Sequence, residues 1–286
     1  MVRARAHHLV VDGRPVCLLE GPAGWGEWSP LPGYPCDPDA AWRAAEEAAL
    51  VGWPPAIRSV VPVNALVTGP AFDPDELAGF PAVKVKVGPG DGVDLVAEVR
   101  NAVGPRVALR VDANGAWDLD TAASAIARLA RYDLELVEQP VPSLDDLARL
   151  RRRVGVPVAA DECVRRLADA RRLRALAAAD ALVVKVQPAG GVRAAAALVE
   201  IAGVPGIPSS LHETSVGVAA GLALAAALPA LPYACGLATV AHRAEDVTTT
   251  PLLPENGALS VRAVSPDPEL LARYAAPSAD PQAAMR

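Results

Sequence analysis

The sequence predicts an α/β protein, a (β/α)7β TIM-like barrel with a small α+β lobe ahead of it, and three observations carry that reading. From Val60 onward, short β-branched runs alternate with longer helical patterns, which implies a parallel sheet whose eight strands close on themselves. Apolar residues make up 52% of the 286-residue chain and aromatics only 4%, so Ala, Val and Leu must build the core in aliphatic layers. Ionisable residues recur at the ends of the strand runs with the period of one strand-helix unit.

Taken in order, residues 1–59 differ from the rest. They hold four of the five tryptophans, a turn-rich stretch over 21–38 and one alanine-rich helix pattern over 39–51. Gly24-Trp-Gly-Glu-Trp-Ser-Pro30 reads as a loop, too rich in glycine and proline for regular structure. The barrel is expected over 60–250, with strands at 60–67, 82–87, 106–112, 134–138, 157–161, 181–186, 206–211 and 232–236. Helices are expected between them, among them 119–131, with Ile126, Leu129 and Ala130 on one side, and 192–201. The stretch 216–231 is the most apolar, but glycine and proline interrupt it, so it reads as a buried helix and not a bilayer span. No barrel helix follows the last strand. Residues 251–275 are expected to return to the lobe through a strand-like run at 259–264 and a short helix, and 276–286 to form a frayed tail.

Charge narrows the function classes. A net charge of −6 argues against nucleic acid, which needs a concentrated basic patch. The dense arginines at 151–153, 165–166 and 171–172 lie in helical patterns and read as solvated faces. No signal peptide or membrane anchor is expected, and the four cysteines, Cys17, Cys36, Cys163 and Cys235, form no CxxC pair. Reduced thiols in a cytoplasmic protein are the expectation, with oligomerisation left open. His7, His8 and His242 belong to no constellation, and His212-Glu213 does not extend to a HExxH motif because position 216 is valine.

The run Ala82-Val-Lys-Val-Lys-Val-Gly88 has the period of a strand, so Lys84 and Lys86 share one face. Facing into a closed barrel, two amines would lower each other's pKa by repulsion and desolvation, which is how a lysine becomes a base. Lys86 to Asp112 is 26 residues, Asp112 to Glu138 is 26, Glu138 to Asp161 is 23 and Asp161 to Lys185 is 24. Each falls at or near the C-terminal end of a strand, so one rim receives them all. Asp112, Glu138 and Asp161 then converge as three hard oxygen ligands, a set suited to Mg2+ with room left for a substrate carboxylate.

Lys84-Val-Lys86, Asp112-Ala-Asn114, Glu138-Gln-Pro140, Asp161-Glu162 and Lys185, in this order and spacing, resemble the enolase superfamily, muconate-lactonizing subgroup. Ser209 to Thr214 and Ala234 to Thr239 resemble the last two strand ends of that family, and Gly24-Trp-Gly-Glu27 resembles the loop by which its capping domain, here 1–59, closes over the site. The compact cap is most similar to an actinobacterial dehydratase branch of menaquinone biosynthesis. The resemblance implies a metal-dependent enzyme, a carbon–oxygen lyase, that binds a small-molecule carboxylate on Mg2+, removes the proton beside it and then expels water. Lys86 becomes base and then acid, Lys84 tunes it, and Lys185 on the opposite wall stabilises the enolate by cation–π contact with the ring. Asn114 is read as orienting a ligand or metal-bound water, and Ser209, Ser210 and Gly236 as holding a distal carboxylate. An acylamino-acid racemase, a dipeptide epimerase and a cycloisomerase of the same superfamily use the same residues. A Schiff-base aldolase on Lys185 and a non-catalytic binding barrel are the more distant readings.

Overall fold

The computed structural model describes residues 3–276. Strands β1 (Arg5–Val11), β2 (Arg14–Gly21) and β3 (Gly24–Trp28) form an antiparallel sheet in that order. The first hairpin turns at Asp12-Gly13, whose φ angles of 51° and 71° suit the two-residue turn that matches strand twist. The stretch expected as a loop at 24–30 is largely a strand, with Trp28 opposite Cys17 and Gly24 opposite Gly21. Its glycine answers to packing as well as to turns. Helix α1 (Pro38–Glu46), continued by a π-helical turn at Glu47–Val51, lies so close that a Cβ at Gly26 would stand 2.0 Å from the Ala45 carbonyl oxygen.

After β4 (Val60–Pro62) the barrel begins, with β5 (Asn64–Val67), β6 (Ala82–Lys86), α2 (Val93–Val103), β7 (Ala108–Asp112), α3 (Leu119–Leu129), β8 (Leu134–Glu138) and α4 (Leu144–Arg151). It continues with β9 (Val158–Ala160), α5 (Leu167–Leu176), β10 (Ala181–Lys185), α6 (Val186–Ala189), α7 (Val192–Ala202), β11 (Gly206–Ser209) and α8 (Ser215–Ala227). Strands β5 to β11 form one parallel sheet in sequence order. The eighth expected strand, 232–236, is reduced to single bridges from Cys235 to Val63 and from Gly236 to Ser209. Those bridges still close the barrel, because Cys235 N donates to Pro62 O at 2.8 Å and Gly236 N donates to Pro208 O at 2.9 Å.

The expected first strand divides at Val63. Its second half enters the barrel, while β4 pairs antiparallel with β12 (Ala258–Ser260), which is shorter than the run expected at 259–264. Helix α9 (Pro268–Arg273) then leads back to the lobe, where Val10 N donates to Tyr274 O at 2.9 Å and Ala276 N donates to His8 O at 2.8 Å. Beyond Ala276 the expected tail lies outside the described residues.

Outward-facing Val83, Val85, Leu109, Val111 and Val137 pack beneath the helices, and Leu136, Ala159, Ala181, Val183 and Ile207 form a separate cluster. Helix α8 is apolar on all sides because it is wedged between β3 of the lobe and β11 of the barrel. No helix among the described residues is long and apolar enough to cross a membrane. Arg151 and Arg172 sit on helix faces in ion pairs with Asp180 and Asp145, as solvated faces should, whereas Arg165 lies on the loop before α5, half-buried over the Tyr34 ring.

Candidate active site

Parallel register builds the rim. Lys86, Asp112 and Glu138 are direct neighbours across β6, β7 and β8, because each ends its strand at the same level. Lys84 lies one pleat deeper beside Arg110. Asp161 follows β9 by one residue, and Lys185 ends β10 opposite Ser209, which in turn bridges Gly236. All of these except Arg110, together with Asn114 and Ser210, line one cavity.

Within it, Lys84 Nζ donates to Asp112 Oδ2 at 3.1 Å and to Glu138 Oε1 at 2.9 Å. Lys86 Nζ donates to Asp112 Oδ2 at 3.3 Å and to Asn114 Oδ1 at 2.8 Å. Across the barrel, Lys185 pairs with Asp161. The expected mutual lowering of the two amines does not hold for Lys84. Burial pulls it down, but the facing charges of Glu138 and Asp112 outweigh burial and the net shift is upward. The same amines, Lys84 first, overcome the effect of burial on Asp112 and hold its carboxyl below the usual range. Glu138 moves the other way, pushed up by burial and by the Asp112 charge against the pull of Lys84. Lys84 is thus a buried clamp between two carboxylates, whereas the Lys86 side chain remains 34% exposed and can meet a substrate.

Asn114 lies beyond the end of β7. It has φ 48°, so the chain has left the extended conformation, and its side chain reaches the cavity from a left-handed turn. There it also donates from Nδ2 to Glu162 Oε1 at 3.1 Å, while its backbone N–H donates to Asp112 Oδ1 at 3.0 Å. Ser209 Oγ and Ser210 Oγ both donate to the Gly236 carbonyl, at 3.3 and 3.2 Å, so these hydroxyls help to close the barrel as well as line the cavity.

The sequence assigns no role to several residues that complete the site. Gln139, at φ 38°, accepts from the Asp161 backbone N–H at 2.7 Å and so fixes where that carboxylate begins. Tyr34 enters from the lobe, its hydroxyl donating to Asp161 Oδ1 at 2.9 Å. The stretch expected to close over the site, 24–27, is strand, and the lobe residues lining the cavity are Leu31 and Tyr34. His212, at φ 58°, also lines the cavity, with a pKa lowered to about 4 chiefly by burial and then by Arg14. His7 is half-buried against Trp25, whereas His242 is exposed.

The lobe is joined to the barrel through buried acids. Glu27 Oε2 accepts from Gly217 N at 2.9 Å and Glu27 Oε1 from Thr214 N at 3.1 Å, so a lobe carboxylate caps α8. Position 217 must lack a side chain, since a Cβ there would stand 2.9 Å from Glu27 Cδ. Next to it, Glu213 is pushed from 4.5 up to about 7 by burial and then by Glu27. A carboxyl raised on folding adds stability below its unfolded pKa and loses it as pH rises through the folded one. The melting temperature of Glu213→Gln minus that of wild type is therefore expected to rise by several degrees between pH 5 and pH 8. An unchanged difference in thermal melts at the two pH values would refute this account of the joint.

Among the described residues, no group of three His, Cys, Asp or Glu side chains is gathered as a ready metal-holding set. The amines account for this, since Lys84 lies between Asp112 and Glu138 and Lys185 is taken up by Asp161. The donor chemistry nevertheless fits a hard cation. Asp112, Glu138 and Asp161 are each at most 3% exposed, and the buried Glu162 Oε2 beside them has no hydrogen-bond partner.

Comparison with known proteins agrees with this layout. Residues 75–266 match the family model described as enolase C-terminal domain-like, and residues 5–49 the one described as enolase N-terminal domain-like. The chain is 52% identical over 267 residues to the o-succinylbenzoate synthase of Thermobifida fusca, covering 89% of this chain and 84% of that protein. It is 44% identical to the o-succinylbenzoate synthase of Mycobacterium ulcerans, over 91% of this chain and 82% of the relative. Among solved structures, the muconate lactonizing enzyme of Pseudomonas putida superimposes with a TM-score of 0.84 at 20% identity, over 96% of this chain and 99% of that one, a likeness of fold.

Proposed function

The chain belongs to the enolase superfamily, and from that premise we propose that it acts as an o-succinylbenzoate synthase. The reaction is the syn-dehydration of 2-succinyl-6-hydroxy-2,4-cyclohexadiene-1-carboxylate in menaquinone biosynthesis. The observation that carries the reading is the alignment of Lys86, Asp112 and Glu138 as register neighbours in one cavity with Asp161 and Lys185.

Lys86 takes the proton from C1, beside the ring carboxylate. The C1–H electron pair becomes the new ring double bond as the C6–O bond breaks, and the same amine returns its proton to the leaving hydroxyl, which departs as water. A single amine serving both steps acts from one face of the ring, which accounts for syn geometry. Lys84, one pleat deeper, offsets part of the charge of Asp112 and Glu138, and Lys185 stabilises charge from the other wall. Asp112, Glu138 and Asp161 would hold a divalent cation, Mg2+ by their chemistry. When bound, it supplies a Lewis acid for the substrate carboxylate where negative charge builds up.

The test is to incubate the purified protein with this diene acid and Mg2+ and follow formation of the aromatic product; no product would reject the assignment. Removing divalent cations with a chelator is expected to abolish turnover, and excess Mg2+ to restore it. Turnover indifferent to chelator would remove the metal from the proposal. Proton exchange at the α carbon of N-succinylamino acids in deuterated water, without dehydration of the diene acid, would favour the racemase.

A further inference from the structure

We propose that Tyr34, on the loop between β3 and α1, is a positioning residue for Lys185 and makes the lobe part of the reacting site. The inference rests on the assignment of Lys185 to the reaction given above.

The contacts single out this tyrosine. Lys185 Nζ donates to the Tyr34 hydroxyl at 3.2 Å and lies 4.6 Å from the centroid of its ring, so one side chain offers the amine both an oxygen and a π face. The other partner of the amine, Asp161, is one of the three carboxylates assigned to the cation and itself accepts from the Tyr34 hydroxyl at 2.9 Å, so Tyr34 braces the lysine both directly and through its ion-pair partner. An amine on a flexible four-carbon stem holds one position only when several partners fix it together. The lysine–aromatic contact expected with a substrate ring is already made within the chain.

Tyr34 is itself held. The guanidinium carbon of Arg165 lies 4.8 Å from its ring centroid, and Arg165 NH1 donates to Pro35 O at 2.7 Å, tying a barrel loop to the lobe loop. The loop is also fixed at both ends. Ser29 N donates to Gln187 Oε1 at 2.9 Å, two residues past Lys185, and Asp37 Oδ1 accepts from Asp39 N at the start of α1. Docking of the lobe and placement of Lys185 are therefore one event.

The ring and the hydroxyl can be separated by two substitutions. Tyr34→Phe keeps the π face, removes the hydroxyl and preserves the packing, whereas Tyr34→Leu removes both. With the Mg2+-loaded enzyme and the diene acid, kcat is expected to fall about tenfold in Tyr34→Phe and about a hundredfold in Tyr34→Leu, with KM within about twofold. A second readout needs no turnover. Acetylation of Lys185 by acetic anhydride, mapped by peptide mass spectrometry on metal-free protein, should run several-fold faster in Tyr34→Leu than in wild type. A raised KM with unchanged kcat, or wild-type kinetics in both variants, would overturn the proposal, as would equal acetylation rates. If wild type makes no aromatic product, the reaction assignment fails on its own, and the acetylation comparison still decides whether Tyr34 holds Lys185.

Discussion

Replacing Lys86 by alanine is expected to lower formation of o-succinylbenzoate by about 10⁴-fold, the upper range for loss of a general acid–base group, because in the proposed reaction one amine serves both proton transfers. The fold should survive, since the side chain is 34% exposed and contributes only the contacts to Asp112 and Asn114. Lys86→Arg should not rescue the rate, because a guanidinium does not give up its proton near neutral pH. Lys84→Ala differs in kind. It leaves two buried carboxylates facing each other without their clamp, so it should cost stability as well as turnover. Product formation by purified variants, with thermal melts beside it, separates the two lysines. Undiminished product from Lys86→Ala would end its assignment as the base.

The second large effect is on stability. Arg110, 1% exposed, donates from Nε to Glu135 Oε2 at 2.5 Å and from NH1 to Ala234 O at 2.7 Å, with Asn64 Oδ1 at 3.5 Å. Asn64 begins the first barrel strand and Ala234 precedes the two residues that close the barrel, so this guanidinium pins the seam where the eighth strand is reduced to bridges. Arg110→Leu removes the pin and leaves the Glu135 carboxylate and a buried carbonyl without their donor, which should cost about 3–5 kcal/mol. For a chain of this size that corresponds to a fall in melting temperature on the order of 10 °C. Adding Glu135→Leu removes the stranded carboxylate and should restore part of the loss. A melting temperature for Arg110→Leu within about 2 °C of wild type would show that the seam does not depend on this residue.

Nothing in the sequence marks Arg110, which sits inside an expected strand without a motif. The same holds for Tyr34, while Gln139 and His212 lie inside the quoted motifs without a role of their own; these roles come from contacts between residues far apart in the chain, such as Tyr34 with Asp161 and Asp161 N with Gln139. Gly24 to Trp28 was misread because its glycine content looks like a loop, yet at Gly26 the glycine accommodates the approach of α1. The eighth strand was legible as a closing segment but not as isolated bridges, since strand length depends on how far both neighbours continue.

By itself the sequence determined the alternation of strands and helices and the order in which Lys84, Lys86, Asp112, Glu138, Asp161 and Lys185 reach the rim. A parallel strand-helix repeat converts sequence spacing directly into position around a barrel. The tertiary structure alone decided the charge pairing inside that rim. Lys84 became a clamp with a raised pKa because Asp112 and Glu138 lie within 3.1 Å of its amine. It also decided that the lobe reaches Lys185 through Tyr34, 151 residues away in the chain. Spacing along a chain sets which groups arrive at the same end of a barrel, whereas the pairing of charges depends on distances of a few ångströms that only packing fixes.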